Sequence, residues 1–509
     1  MEIQHNKKVS RALISVYDKE PARLLIETLH KGGVELISTG GTLSFIREMG
    51  LEVTAVEELT GYPSIFGGRV KTLHPMVFGG ILGRPSLASD QLDMQRHEID
   101  PIDMVVVDLY PFEKTLSSGA SHDEMIEKID IGGVSLIRAA AKNYAEILVV
   151  PAENHYSEII NLLTAGNWST SLLDRKRMAA AAMEISSHYD ALIFDYLNDG
   201  ELNVFKESIR SSRALRYGEN PHQQGCYYGD LDTMFEQLSG KPLSYNNLLD
   251  IDAAVALIAE FSEPTFAIIK HTNPCGLATR DTVEEAWHDA LAGDPVSAFG
   301  GVLIANREMG ADLAESIHEL FFEVLIAPGF EQEALDILSA KKNRIILRKK
   351  PFIMPDYRFR SALNGVLWQT QDHKSTVPEL WKSVTTSIPD KDQEKDLVFA
   401  NMIVKHLKSN AIALVKDSML LGTGMGQTSR VDALNHAIAK ARSHGHDLKG
   451  AVMASDAFFP FADSVEIASN AGVSAVIQPG GSVRDQDSID FCNAHGMAMV
   501  MTGVRHFKH

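Results

Sequence analysis

Short apolar runs of strand length alternate with amphipathic stretches of helix length, and this alternation constrains the chain more than any other feature. ALISVYD reads as a strand, PARLLIETLHKGG as a helix closing on glycines, and VELIS as a second strand. The Gly40-Gly41 turn and a helix to Met49 follow. MVVVDLYPF and AEILVVPA are further strands. Strands alternating with helices predict a parallel sheet with helices on its faces, because a parallel connection has to cross back over the sheet. SLLDRKRMAAAAMEISSHYDALIFDYL continues one helical pattern to Asn198. ELNVFKESIRSSRALRYGENPHQQG is polar and has no sustained period, so a first domain is expected over 1–200 and a second region over 201–509. In that region α/β patterning runs to about Ala340 and resumes at Asp396. The stretch 341–395 carries Pro351, Pro355, Pro378 and Pro389 and reads as a crossing between two subdomains. No obvious short repeat is visible.

Composition narrows the function. At 509 residues the chain is too long for one domain of roughly 100–200 residues. A net charge of −19 argues against polyanionic partners, so no nucleic acid is expected, although a local basic pocket could hold a small phosphorylated ligand. The most apolar runs are strand-length, far short of a membrane span, and MEIQHNKKVSRALISV lacks the apolar core of a signal peptide. Cys226, Cys275 and Cys492 form no CxxC pair. A cytoplasmic enzyme is the expectation.

Three glycine-rich segments lie in the first domain. Ser38-Thr39-Gly40-Gly41-Thr42 ends a strand, turns on two glycines and offers Thr42 as a helix cap. It is either an ordinary turn or a phosphate site at a helix N-terminus. Gly67-Gly68-Arg69-Val70-Lys71-Thr72-Leu73-His74-Pro75 puts two cations and a histidine behind a flexible entry, which suits an anion or a solvated loop. Asp130-Ile131-Gly132-Gly133 precedes a helix on which Arg138 and Lys142 share a face. Asp130 and Lys142 meeting around one substrate would make a proton donor and acceptor, and the plainer reading is a cap and surface charges.

In the second region, Phe266-Ala267-Ile268-Ile269-Lys270-His271-Thr272-Asn273-Pro274-Cys275-Gly276 reads as a buried strand delivering Lys270 and His271 to its C-terminal end, where open α/β sheets place ligands. Histidine is the common general acid or base, and a neighbouring lysine can hold developing negative charge. The segment also resembles part of a zinc deaminase signature. However, Ala278 stands where the second cysteine would be, and Asn273 where the glutamate would be, so a metal would lack ligands. Gly422-Thr423-Gly424-Met425-Gly426-Gln427 reads as a glycine turn after the strand SMLLG, half of a dinucleotide fingerprint whose third glycine is Gln427. Ser455-Asp456-Ala457-Phe458-Phe459-Pro460-Phe461-Ala462-Asp463 offers rings and carboxylates to a flat aromatic ligand, or else plugs a core. The chain ends in Val504-Arg505-His506-Phe507-Lys508-His509, a basic and aromatic tail.

Taken together, STGGT, GGRVKTLHP, DLYPF, DIGGVSLIRAAAKN, LRYGENPHQ, LSYNNLLD, KHTNPCG, DPVSAFGG, GTGMGQTSR, SDAFFPFAD, IQPGGSVRD and RHFKH resemble one family over nearly the whole chain. It is the bifunctional purine-biosynthesis family that joins AICAR (phosphoribosylaminoimidazolecarboxamide) formyltransferase to IMP cyclohydrolase. The resemblance implies a methylglyoxal-synthase-like parallel-sheet domain followed by two cytidine-deaminase-like α/β subdomains without zinc. It implies formyl transfer from 10-formyltetrahydrofolate, a cosubstrate with no permanently bound cofactor, to AICAR, and then dehydrative closure to IMP. A homodimer with transferase sites built from both subunits is also implied.

By motif match, Lys270, His271 and Asn410 become the transferase's catalytic residues. Arg216, Tyr217, Arg430 and Arg505 would hold the ribotide, Phe458 and Asp463 would face the folate, and His509 would close the site. For cyclisation the match gives Lys71, Tyr110, Asp130 and Lys142. Ser15, Lys19, Ser38, Thr39, Gly40, Gly41, Thr42 and Arg69 would lie around the phosphate. The chain departs from the family pattern at Tyr17, Pro21, Asp108 and Ala462. The alternative, a non-catalytic nucleotide-binding regulatory module, expects broken catalytic positions, and these are present. A nicotinamide oxidoreductase lacks its third glycine.

Overall fold

The computed structural model describes residues 6–509, which form two compact units meeting in sequence between Arg210 and Ser211. In the first unit, β1 (Arg11–Ser15), β2 (Glu35–Ser38), β3 (Thr54–Ala55), β4 (Met104–Val107) and β5 (Leu148–Val150) form a five-stranded sheet in the order β3-β2-β1-β4-β5. All four pairings are parallel. Met104–Val107 is buried along its whole length, as a strand covered on both faces must be. Helices α1 (Arg23–Lys31) and α2 (Gly40–Glu48) follow the first two strands, α3 (Gly132–Lys142) precedes β5, and α4 (Leu172–Asn198) follows it. The 27-residue α4 starts at Ser171, whose hydroxyl accepts from Asp174 N while the Asp174 carboxylate takes the Ser171 N–H. Sheet order reverses direction between β1 and β4, so their C-terminal ends open a crevice where α/β proteins bind ligands.

The second unit is organised around one 12-stranded sheet. Its strands are β6 (Phe235–Ser239), β7 (Thr265–Lys270), β8 (Asn273–Thr279), β9 (Val302–Ala305), β10 (Val324–Ala327), β11 (Ile345–Lys349), β12 (Lys382–Ser383), β13 (Ile412–Lys416), β14 (Met419–Gly424), β15 (Val452–Ser455), β16 (Ala475–Gln478) and β17 (Ala498–Met501). The order β6-β11-β10-β9-β7-β8-β14-β13-β15-β16-β17-β12 repeats itself about its centre. Each half has a central antiparallel hairpin flanked by three parallel strands, and the halves join through the antiparallel pair Ala278↔Met419. The duplication is one of structure, carried by sequences too different to read as a repeat. Residues 345–349, read from sequence as crossing chain, complete the first half as a strand. The exposed hairpin Tyr357–Ala362/Gly365–Thr370 occupies much of the rest.

The topology alters two sequence expectations. Strand β7 is antiparallel to both neighbours, so Lys270 and His271 sit at a two-residue hairpin and not at the open end of a parallel strand. Gly422 and Gly424 lie inside β14 instead of forming a turn. A Cβ on Gly424 would collide with the backbone of Ala433, so these glycines let the strand approach the helix Arg430–Ser443 closely. Phosphate approach and backbone packing both call for glycine, and here packing is the cause.

Candidate active sites

At the crevice of the first unit, α2 begins at Gly40 with φ +54°, a left-handed value that glycine adopts without strain. Its cap is the extended Thr39 and not Thr42. The Thr39 hydroxyl bonds Glu57, and the Ser38 hydroxyl donates to Ile14 O. The Thr42 hydroxyl accepts from Val16 N at 3.1 Å and donates to Val16 O at 3.0 Å, clamping the loop after β1 to the helix. Two ammonium groups flank the helix start. A Cβ on Gly40 would lie 2.9 Å from Lys71 Nζ, and one on Gly41 3.2 Å from Lys19 Cε. Free first-turn N–H groups, the helix dipole and two lysines make an anion site. Arg69 does not join it, because its guanidinium pairs with Glu127 in an exposed ion pair.

Asp130 and Tyr110 face the same crevice. The Asp130 carboxylate accepts from Gly133 N at 2.7 Å and from the Tyr110 N–H. Burial pushes its affinity for a proton above the ordinary carboxylate value, against these bonds and the Lys71 charge. Burial also raises the Tyr110 phenol, Asp130 adds to the shift, and Lys128 opposes it. Tyr17 meets Tyr110 edge-on at 5.5 Å, and Lys128 Nζ lies 5.1 Å and 5.9 Å from the two ring centroids. Lys142 is not brought to Asp130 within the chain. The two residues bracket α3, whose 11 residues rise about 15 Å, and Lys142 is exposed.

Asp108 lies just past β4. It accepts from Asp18 N at 3.1 Å, and its own N–H donates to Ser15 O at 3.3 Å. Burial raises its carboxyl, and Glu153 and Asp18 add to the shift. Asparagine's amide oxygen can accept the same bond and carries no charge. Asp108→Asn is therefore expected to keep the cyclisation that the family resemblance implies within about tenfold, roughly 1.4 kcal/mol in barrier, without weakening substrate binding. Steady-state kinetics check this, and a loss beyond about a hundredfold with the fold intact would place Asp108 in the proton transfers.

In the second unit, His271 and Thr272 both have positive φ, +50° and +64°, and form the two-residue turn between β7 and β8. Two left-handed residues match the right-handed twist of a hairpin. Asp250, on the helix Tyr245–Ile258, accepts from Thr272 N at 2.6 Å and braces the turn. His271 is exposed, and the Lys270 ammonium donates to Phe299 O. Lys408 N donates to Asn273 Oδ1 at 3.4 Å, which sets the segment carrying Asn410 beside the hairpin.

Asn410 is fixed at both ends. Its amide nitrogen donates to Gln427 O at 3.0 Å, and its oxygen accepts from Arg430 at 2.9 Å. Arg430 is buried and also bonds Asp456 at 2.5 Å and Ser455 at 2.8 Å. Its guanidinium fork is occupied within the protein, so it orients Asn410 instead of standing open to a phosphate. Phe459 is core, whereas Phe458 and Phe461 are exposed at 39% and 49%. Asp463 opens the helix Asp463–Ala471, and its carboxylate accepts from Ser464 N. The C-terminal tail docks along the Asn410 segment, with Ser409 N donating to Lys508 O at 2.9 Å and Lys508 N to the Ser409 hydroxyl at 3.1 Å. This fixes where Arg505 and His509 lie: Arg505 is over the Phe507 ring at 4.4 Å, and the His509 ring is 5.7 Å from it. Arg216 stacks on Tyr217 at 5.4 Å just after the strand Ser212–Leu215.

Comparison with known proteins identifies the family. The family model described as "AICARFT/IMPCHase bienzyme" matches residues 140–440, more than half the chain, and the one described as "MGS-like domain" matches residues 24–135. This chain belongs to the AICARFT/IMPCHase bienzyme family. It is 56% identical over 508 residues to the bifunctional purine biosynthesis protein PurH of Bacteroides thetaiotaomicron, covering 100% of both chains. The PurH proteins of Aquifex aeolicus and Chloroflexus aurantiacus are each 46% identical, over 98% and 99% of this chain and 100% and 99% of their own.

Two features of these sites were not singled out by the motifs. Asp250 ends the quoted LSYNNLLD segment, but its bracing of the hairpin depends on contact across 22 residues. Lys128 gains its place from two rings, and a lysine two residues before Asp130 carries no signal of its own. Among the described residues no three His, Cys, Asp or Glu side chains converge as metal ligands.

Proposed function

We propose that the two units divide two consecutive reactions between them, the last two steps of IMP synthesis. Full-length membership of the bienzyme family carries this reading. Formyl transfer belongs to the second unit. AICAR's 5-amino group is a poor, delocalised nucleophile, so its proton has to leave as it attacks the formyl carbon. Exposed His271 on its braced turn takes that proton. Lys270 stabilises the tetrahedral oxyanion or the departing folate nitrogen. Asn410, locked through Arg430, orients the formyl group. Phe458 and Asp463 face the folate ring, and Arg216, Tyr217, Arg505 and His509 enclose the ribotide. 10-Formyltetrahydrofolate enters as cosubstrate, with no resident cofactor.

Cyclisation belongs to the first unit. The 5′-phosphate sits on the α2 N-terminus between Lys19 and Lys71. The carboxamide nitrogen attacks the formyl carbon, and water leaves. Asp130, with its raised proton affinity, accepts and returns a proton, while Tyr110 and Lys71 polarise the formyl oxygen. A homodimer with transferase sites shared between subunits, working in the cytoplasm, completes the reading. No helix among the described residues is long and apolar enough to cross a membrane.

Separate assays of the two half-reactions on purified protein test it. AICAR with 10-formyltetrahydrofolate should change the folate absorbance, and supplied formyl-AICAR should give IMP without folate. NAD(P)H should give no signal. Absence of both turnovers in folded protein would leave the regulatory-module reading.

A further inference from the structure

A buried tyrosine on α4 sits behind the two loops that carry Asp130 and Tyr110. Tyr189 is only 7% exposed. Its hydroxyl accepts from Asp130 N at 2.8 Å and donates to Lys128 O at 2.6 Å, so one oxygen ties together the backbone on both sides of Ile129. Its ring meets Phe112 edge-on at 6.0 Å. Phe112 is fully buried, and its N–H donates to Tyr110 O at 2.8 Å. The hydroxyl thus holds one loop and the ring holds the other.

We propose that Tyr189 is a positioning residue for cyclisation, setting the distance between Asp130 and Tyr110 from a rigid helix behind the site. This rests on the cyclohydrolase reading of the first unit. Three observations carry it. First, the segment Lys128–Ile131 lies outside regular structure, between the helix His122–Glu127 and α3, so its backbone groups need partners from elsewhere. Tyr189 supplies one donor and one acceptor.

Second, α4 is a firm reference. It is capped at Ser171, it packs along α3, and Arg138 of α3 bonds Ser186 at 3.2 Å one turn before Tyr189. Tyr196, two turns further along, also packs on Phe112 at 5.8 Å. Third, burial pushes the Tyr189 phenol up to about 12, so it stays protonated and continues to donate across the working pH range. The Asp130 carboxylate is left free of Tyr189, which touches only its backbone. Tyr189 therefore places Asp130 without consuming the oxygens that accept protons.

The test is Tyr189→Phe in the full-length protein. The ring and its contact with Phe112 remain, and only the hydroxyl is lost. Displacing a reacting group by about 1 Å costs up to about 10²-fold, so the kcat for cyclisation of formyl-AICAR should fall about tenfold. KM should stay within about twofold, because the phosphate loops after β1 and β2 are not touched by Tyr189. Formyl transfer should not change. In an Asp130→Asn background the same substitution should cost less than about twofold more, since the group it positions no longer acts.

Rates are referred to the folded fraction at the assay temperature, so that a loss of stability does not mimic the effect. An unchanged cyclisation kcat overturns the proposal. So does a tenfold loss that persists in full on top of Asp130→Asn, which would mark Tyr189 as independent of Asp130. Wild-type protein run alongside separates the two readings. If wild type does not cyclise formyl-AICAR, the cyclohydrolase assignment falls and this one with it; if it does, the variants alone decide.

Discussion

His271→Asn should lower formyl transfer by about 10²–10⁴ while leaving cyclisation of supplied formyl-AICAR unchanged. The range is what a positioned proton-transfer group contributes. Asparagine is chosen on structural grounds. His271 holds φ +50° in the two-residue turn, and asparagine is among the few side chains that accept this region readily. Alanine there would add strain of about 1 kcal/mol and mix a folding effect with a chemical one. The bonds that shape the turn are made by backbone groups: Thr272 N to Asp250, and Asn273 Nδ2 to His271 O at 2.8 Å. They survive the change, and only the imidazole is lost. Rates of both half-reactions on the same preparation provide the check. Equal damage to both would mean that the reactions do not divide between the units as assigned.

Much of the first unit was legible because its signals are local. The apolar runs over Arg11–Ser15, Glu35–Ser38, Met104–Val107 and Leu148–Val150 are strands, and the long helical pattern ends at Asn198. The helix after Ser171 was legible from its continuous pattern alone, and the capping box at its start is seen in the structure. The second unit was harder, for physical reasons. A His-Thr turn carries none of the Asn-Gly chemistry that marks two-residue hairpins, so Lys270-His271 read as an ordinary strand end. Gly422 and Gly424 meet the same steric demand against a helix that they would meet against a phosphate, and sequence spacing does not separate the two cases.

Arg430 illustrates a further limit. An arginine near a glycine turn suits a phosphate, and only the fold brings Asp456 and Asn410 to its guanidinium across 26 and 20 residues. Asp130 and Lys142 share one motif, yet helix geometry sets them at opposite ends of α3. Motif proximity in sequence is not proximity in space when a helix intervenes.

Asp130→Asn should lower cyclisation by about 10²–10⁴ and leave formyl transfer unchanged, without loss of stability at neutral pH. The activity side follows from the chemistry: an amide cannot accept and return a proton. The stability side follows from the direction of the Asp130 shift. Burial raises its proton affinity in the folded protein, so the native state favours the neutral acid more than the unfolded chain does. The stability this contributes is full below the unfolded value and is lost as pH rises through the higher folded value. Above that folded value the wild type holds a partly buried charge that the asparagine variant lacks. Asparagine's amide oxygen can still accept from Gly133 N, so the start of α3 keeps its tie. Relative to wild type, the variant's melting temperature should therefore hold level or rise as pH increases from the acid range to neutrality, and the difference should vanish at low pH, where both side chains are neutral. Thermal unfolding across pH, beside cyclisation rates, measures both sides. A variant that loses stability at neutral pH would show that the Asp130 charge holds the fold together, and its activity loss would then not identify a proton-transfer group.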